Sequence, residues 1–430
     1  MTQSGSLSAW RQWLVRWRWG GGVMAALVGV FLIGVAVPGA WFWMGVDPVR
    51  PLFQDFAAVL ASGEAWVAGE DPYVWGNPFD LYGRPHGYGP WWLWLGTLGL
   101  TAADWPWVGS LVNGTFALCA IAVLKPCDRL QAWYAGLLLV SPPILLGLER
   151  ANNDLLIFVM AVVVVSMVAR GGWGELGVAT ALLVAATVLK FYPLALFPVL
   201  LMARRGGRAL GFLVTAVFVL GFVVAYWWVD FQRGFAVMPV PNSMYTYGLK
   251  STYNAWNSEL ANRGALIVGL VIGVAGSLWA VRRAWPRDAG FGRTMEISPE
   301  YAIGALGWCS CYLINANFLY RYVLLLFPAA QWLRDLKNPD RSEFAKVQLI
   351  LMIIMADGWI PWMLIARTTQ RTDAWAFPFF WMIGGIVQGV TLVLTGLVLF
   401  YLIKGALSVA RRHGVWPLEM KAVRGNSVEA

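Results

Sequence analysis

Apolar runs of about 17–25 residues recur from residue 23 to residue 404, each long enough to cross about 30 Å of hydrocarbon. They predict membrane spans near 23–44, 107–124, 131–148, 153–169, 175–203, 209–229, 263–281, 300–314, 319–333, 346–365 and 377–403. The 175–203 run is long for one helix and contains Pro193 and Pro198, with Arg170 before it and Arg204, Arg205 and Arg208 after it. If both basic ends face the same side, the run is a hairpin of two short or broken helices around Lys190. That gives about twelve crossings. Residues 90–103, opening with Pro90-Trp91-Trp92-Leu93-Trp94-Leu95, are apolar but short, and suit either an interfacial segment or one more crossing. No polar stretch between the runs is long enough to fold alone. The pattern predicts an all-α polytopic membrane protein with one transmembrane domain over 23–410.

Composition agrees with this pattern: 59% of the 430 residues are hydrophobic and 13% charged, with a mean hydropathy of +0.61. The first run is too long for a signal-peptide core and no small-x-small cleavage site stands out before Asp47, so it reads as an uncleaved helix. Ahead of it, Trp10, Trp13, Trp17 and Trp19 alternate with Arg11, Arg16 and Arg18. Residues 1–22 thus suit an amphipathic helix on the cytoplasmic headgroups, or a basic tail. The net charge of +9 follows from topology, with no call for nucleic acid. With the N-terminus inside, 22 of the 32 basic residues fall in cytoplasmic segments, among them Lys125, Arg129, Arg170, Arg282, Arg283, Arg334 and Lys337. Both termini are then cytoplasmic, with a polar tail over 411–430. Cys119, Cys127, Cys309 and Cys311 read as small core residues, because positions i and i+2 of a helix diverge and make a poor metal or disulfide pair.

Two outer segments are large, about 45–90 and about 230–262. The first gathers Asp47, Asp55, Glu64, Glu70, Asp71 and Asp80 within about forty residues of an otherwise apolar chain, where ionisable groups are costly. The second is rich in Tyr, Asn and Trp, including Tyr245, Lys250 and Trp256. It suits either a surface that stacks on sugars or an ordinary interfacial loop. Moving a sugar to an alcohol needs a carboxylate to take the hydroxyl proton and cations or amides to hold a departing phosphate. Asp55, flanked by Phe53, Phe56, Ala57 and Ala58, fits the base. It also fits a helix N-cap. On the same outer face lie Glu149-Arg150-Ala151-Asn152-Asn153-Asp154, Lys190-Phe191-Tyr192-Pro193 and Tyr320-Arg321-Tyr322. Lys190, Arg150, Arg321 and Lys250 are candidate phosphate ligands. His86, Tyr88, Asn152, Asn153, Tyr192, Tyr245 and Trp256 are candidate sugar or acceptor contacts. Lys190 could instead snorkel to the interface, and Arg150 could pair with Glu149 or Asp154. The chain lacks HExxH, an EF-hand loop, an Asp-x-Asp pair and a Walker loop, so neither metal nor other cofactor is expected.

In order along the chain, Asp55-Phe56, Gly69-Glu70-Asp71-Pro72-Tyr73, Tyr88-Gly89-Pro90, Arg150 to Asp154 and Lys190-Phe191-Tyr192-Pro193 resemble the C-type glycosyltransferase superfold. Within it they resemble the polyprenyl-phosphate-mannose-dependent mannosyltransferases of glycosyltransferase family 87. The resemblance covers about residues 23–205; beyond that only hydropathy and loop placement agree. It implies a C-type architecture in which outer loops form the active-site cavity of a bacterial plasma-membrane enzyme. It further implies inverting transfer of a sugar, mannose by family, from a polyprenyl-phosphate donor to a lipid or glycan acceptor, with Asp55 as base. Two departures stand out. The family's Gly-Gln-x-Asn break reads Glu149-Arg150-Ala151-Asn152 here, and its late His-Tyr pair has Arg321-Tyr322 as nearest counterpart. Two other classes compete: a lipid-sugar flippase, and a surface polysaccharide polymerase or ligase. The first would need repeated halves and a charged path through the membrane. The second would need a large late outer loop, and 230–262 is modest.

Overall fold

Prolines and polar breaks decide where the apolar runs become single helices. The computed structural model describes residues 4–203, 206–238, 246–247, 260–285, 297–314, 317–358, 360 and 376–412. The longer helices in its first part are α1 (Ser4–Ala36), α2 (Gln54–Val67), α3 (Trp105–Leu124), α4 (Arg129–Leu139), α5 (Pro142–Arg150), α6 (Asn153–Arg170) and α7 (Trp173–Leu189). Those that follow are α8 (Gly206–Tyr226), α9 (Trp228–Ala236), α10 (Leu260–Ala284), α11 (Pro299–Ile314), α12 (Leu326–Asp335), α13 (Ser342–Asp357) and α14 (Ala376–Arg412). The protein is all-α and polytopic, as its hydropathy predicts. Its strands among the described residues are two residues long, Thr246–Tyr247 and Asn317–Phe318, paired antiparallel with Thr246 opposite Phe318.

Six helical stretches are long and apolar enough to cross a membrane, within α1, α3, α6, α8, α10 and α14. A seventh arises if α4 and α5, bent by 55°, count as one span. The expected twelve is therefore not reached by helices of spanning length among the described residues. Pro142 and Pro143 break the 131–148 run, because proline lacks the donor and clashes with the preceding turn. The 175–203 run divides as expected: α7 stops before Lys190, and a 3-10 segment, Tyr192–Met202, follows and packs against it. Residues 90–103 form only short helical turns. They lie against α2, where the Cβ that Gly96 lacks would fall 2.1 Å from the Gly63 carbonyl oxygen. The N-terminal segment differs from expectation in being continuous with the first span, since α1 runs unbroken through residue 22.

At one end of the bundle, Gln131 donates to the Leu333 carbonyl oxygen (2.8 Å) and Lys337 pairs with Asp128 (3.5 Å). This joins the basic turn after α3 to the basic end of α12, two segments the charge pattern assigns to one side. The aromatic core includes Phe116, Phe158 and Phe327 in successive ring contact. Cys309 and Cys311 are buried, but Cys127 is exposed in the turn after α3, so it is not the core residue expected.

Candidate active site

The chain enters α2 through Phe53, which adopts a left-handed conformation (φ 65°) and occupies the N-cap position without a side-chain cap. Asp55 follows in the first turn, so its carboxylate is not the cap. Two contacts fix this turn. The Phe53 amide donates to the Glu149 carbonyl oxygen at 2.8 Å. The Arg84 guanidinium, held by Asp80 at 2.7 Å, donates to the Gln54 carbonyl oxygen (3.0 Å) and to Gln54 Oε1 (2.9 Å). Phe53, Gln54 and Phe56 are buried, whereas Asp55 is half-buried. Burial alone would raise the Asp80 carboxyl, but hydrogen bonds from Arg84 and Tyr82 outweigh it and hold the group below its ordinary value.

The break between α5 and α6 supplies the second side. Glu149 is fully buried and accepts the Val49 amide at 2.8 Å. Arg150 Nε lies 3.7 Å from its carboxylate. Ala151 is left-handed (φ 44°) and buried, and Asn152 then caps α6 by accepting the Asp154 amide at 2.9 Å. The Asn152 side chain also donates from Nδ2 to Asp55 Oδ2 at 2.6 Å.

The third side is the end of α7. Gly89 and the Trp92 indole both donate to the Leu189 carbonyl oxygen, at 3.1 and 3.0 Å, satisfying a helix-end acceptor. A Cβ on Gly89 would sit 1.6 Å from the Val188 carbonyl oxygen, so only glycine permits this docking. The docking places the Tyr88 ring 5.6 Å from Lys190 Nζ, and the Tyr320 ring lies at the same distance. Lys190 Nζ lies 2.8 Å from Asp154 Oδ2, donates to Asn153 Oδ1 at 2.6 Å and lies 3.4 Å from Asn152 Oδ1. Asp154 also accepts from the Tyr192 hydroxyl (2.8 Å) and lies 3.7 Å from Arg321 Nε. Arg321 stacks over the Tyr192 ring at 5.0 Å.

Seven of the residues singled out in the sequence thus meet at one place: Asp55, Tyr88, Asn152, Asn153, Lys190, Tyr192 and Arg321. Arg150 borders them. Lys190 does not snorkel; it is buried, with its ammonium among these groups. His86 lies behind the cluster, 1% exposed, with Nε2 bonded to the Gly89 carbonyl oxygen (3.1 Å) and its ring between Tyr73 and Tyr88. Burial pushes its imidazole down to about 4. Tyr245, Lys250 and Trp256 lie outside the described residues. Asp154, Arg84 and Tyr320 escaped selection. The signal for Asp154 was present, a carboxylate opening an apolar run, where charge needs a partner. Among the described residues no three or more His, Cys, Asp or Glu side chains group as a metal site.

Three comparisons bear on this arrangement. The sequence model of Glycosyltransferase family 87 matches residues 85–298, which bears out the resemblance and, with the apolar helices, makes the chain a membrane protein of glycosyltransferase type. The matched stretch holds Tyr88, the 150–154 break and Lys190 and extends past 205, but Asp55 and the 69–73 motif precede it. Among solved structures the chain is similar to ArnT from Cupriavidus metallidurans in the apo state, with 13% identity and a TM-score of 0.35 over 89% of this chain and 78% of that one. It is likewise similar to the same protein bound to undecaprenyl phosphate, with 12% identity and a TM-score of 0.34 over 92% and 79%. No curated protein matches.

Proposed function

We propose that this membrane glycosyltransferase moves a sugar, mannose in our reading, from a polyprenyl-phosphate donor to a hydroxyl of a lipid or glycan acceptor, on the extracytoplasmic side and with inversion. One observation carries the reading. A half-buried carboxylate, Asp55, a buried cation, Lys190, and a half-buried one, Arg321, are joined through Asn152 and Asp154 across four chain segments.

That arrangement supplies what the reaction asks of a protein. The acceptor oxygen forms its bond to the anomeric carbon as Asp55 takes its proton. The bond from that carbon to the phosphate oxygen breaks, and polyprenyl phosphate leaves with the electron pair. Lys190 Nζ and Arg321 Nε both approach Asp154, at 2.8 and 3.7 Å, and two cations gathered at one place suit a departing phosphate. The protein cations then serve where a metal would otherwise balance charge. Tyr88, Tyr192 and Tyr320 set their aromatic rings against these two cations, at 5.0–5.6 Å. The match to family 87 supports both the reaction class and the donor class.

A donor panel tests the reading. Purified protein in proteoliposomes is offered polyprenyl-phosphate mannose, galactose and arabinose, each radiolabelled, with a membrane-derived acceptor fraction. Label moving from the mannose donor into the acceptor fraction is expected. Transfer from another sugar alone would overturn mannose, and transfer from none would overturn the donor class.

A further inference from the structure

Three non-glycine residues among those described have positive φ, and two of them bracket one hydrogen bond. A left-handed conformation costs a residue with a Cβ about 1–2 kcal/mol, and such outliers gather at functional sites. Phe53 stands two residues before Asp55, and Ala151 stands immediately before Asn152. The Phe53 amide to Glu149 oxygen bond ties the two strained turns together. Between them lies the 2.6 Å bond from Asn152 Nδ2 to Asp55 Oδ2. The orientation of this amide is fixed by its other end. Oδ1 accepts the Asp154 amide and faces the Lys190 ammonium, so a flipped side chain would turn its NH2 toward two donors.

We propose that Asn152 is a positioning residue for the base rather than a contact to the sugar. Resting on the reading of Asp55 as general base, the role is to hold Oδ2 so that Oδ1 faces the acceptor hydroxyl and receives its proton. Both heteroatoms of Asn152 are engaged by the protein, and the residue has no exposed surface. The same amide contacts the Lys190 ammonium, so the base and the cation that would hold the leaving phosphate share one rigid reference. Misplacement of a reacting group by about 1 Å costs on the order of 100-fold in rate.

A pair of variants separates this role from helix capping. Asn152→Ala removes both the cap and the amide donor; Asn152→Ser keeps a good cap but cannot reach Asp55. Unfolding temperature, kcat and the KM for donor and acceptor are measured for both, with Asp55→Asn alongside. Asn152→Ser is expected to unfold at the wild-type temperature with kcat lowered about 10- to 100-fold and both KM values within about twofold. Wild-type kcat in Asn152→Ser overturns the proposal, as does a raised acceptor KM at unchanged kcat, which would make Asn152 a sugar contact. An unfolding temperature as low as that of Asn152→Ala would reduce its role to the cap and overturn the proposal equally. Normal turnover in Asp55→Asn is a separate outcome that removes the base reading itself.

Discussion

The Asp55–Lys190 cluster and the paired helices α10 and α14 both depend on close approach between distant parts of the chain, and they achieve it by opposite means. In the cluster, charges and amides satisfy one another across four segments. In the helix pair the contact is backbone on backbone. The Cβ atoms missing from Gly269, Gly273, Gly385 and Gly389 would fall 2.0, 2.4, 2.3 and 2.7 Å from the carbonyl oxygens of Met382, Ile386, Leu266 and Leu270. Helices in lipid gain little from hydrophobicity toward one another, so small residues at four-residue spacing supply the attraction through van der Waals contact. The proposed chemistry thus sits in a polar joint, whereas the late pair of helices coheres through close backbone contact. Substitutions should separate the two: in the joint, activity should fall first; in the pair, the fold should fall first and activity only with it.

The largest effect on the joint should come from Lys190→Ala. Removing one partner of a buried ion pair typically costs about 3–5 kcal/mol, and Asp154 would keep the Tyr192 hydroxyl and the more distant Arg321. Donor binding, measured by titration with labelled lipid, should weaken at least about tenfold. Unchanged donor affinity would remove Lys190 from the phosphate site. Acid should loosen the same region. The His86 pKa is about 4 in the fold against 6.5 free, so the unfolded chain binds more protons, and stability falls as pH drops from 6.5 toward 4. The loss amounts to about 3 kcal/mol and should be visible as a falling unfolding temperature. His86→Phe should remove that part of the slope; an unchanged slope would assign it to other groups.

Gly273→Val should lower stability by about 1–3 kcal/mol through overpacking, while the molecules that remain folded turn over with normal kcat. A selective loss of kcat would contradict the separation of fold from chemistry. The smallest effect belongs to Arg233→Ala. Arg233 pairs with Asp71, but both side chains are 41% exposed, and exposed pairs contribute about 0–1 kcal/mol. A loss well beyond that would mean that α9 does more than rest on the 69–89 segment.

Much of the joint could be read from the sequence, because an ionisable group in an apolar run needs a partner and advertises itself. Lys190, Arg321 and the 149–154 break stood out for that reason and prove to be neighbours. The pairing itself was not legible. Nothing in the spacing says that Asn152 reaches Asp55 or that Asp154 serves Lys190, Tyr192 and Arg321 together, since these contacts follow from the left-handed turns at Phe53 and Ala151, and neither residue type signals one. Span positions were legible from hydropathy, but span lengths were not, because Pro142, Pro143 and Pro193 stand where helices that composition alone would continue are interrupted. The Gly269/Gly273 and Gly385/Gly389 spacings were present in the sequence, yet glycine in a helix gains its meaning only when the facing backbone is known.

The proposed role of Asp55 is tested most directly by transfer of radiolabelled mannose from its polyprenyl-phosphate donor in proteoliposomes, comparing wild type with Asp55→Asn at equal folded concentration. Removal of a general base lowers rates about 10²- to 10⁴-fold, so label should enter the acceptor with wild type and scarcely at all with the variant. Both should bind the donor equally, because Lys190 and Arg321 are untouched. Transfer by Asp55→Asn within a few-fold of wild type would contradict a base at this position.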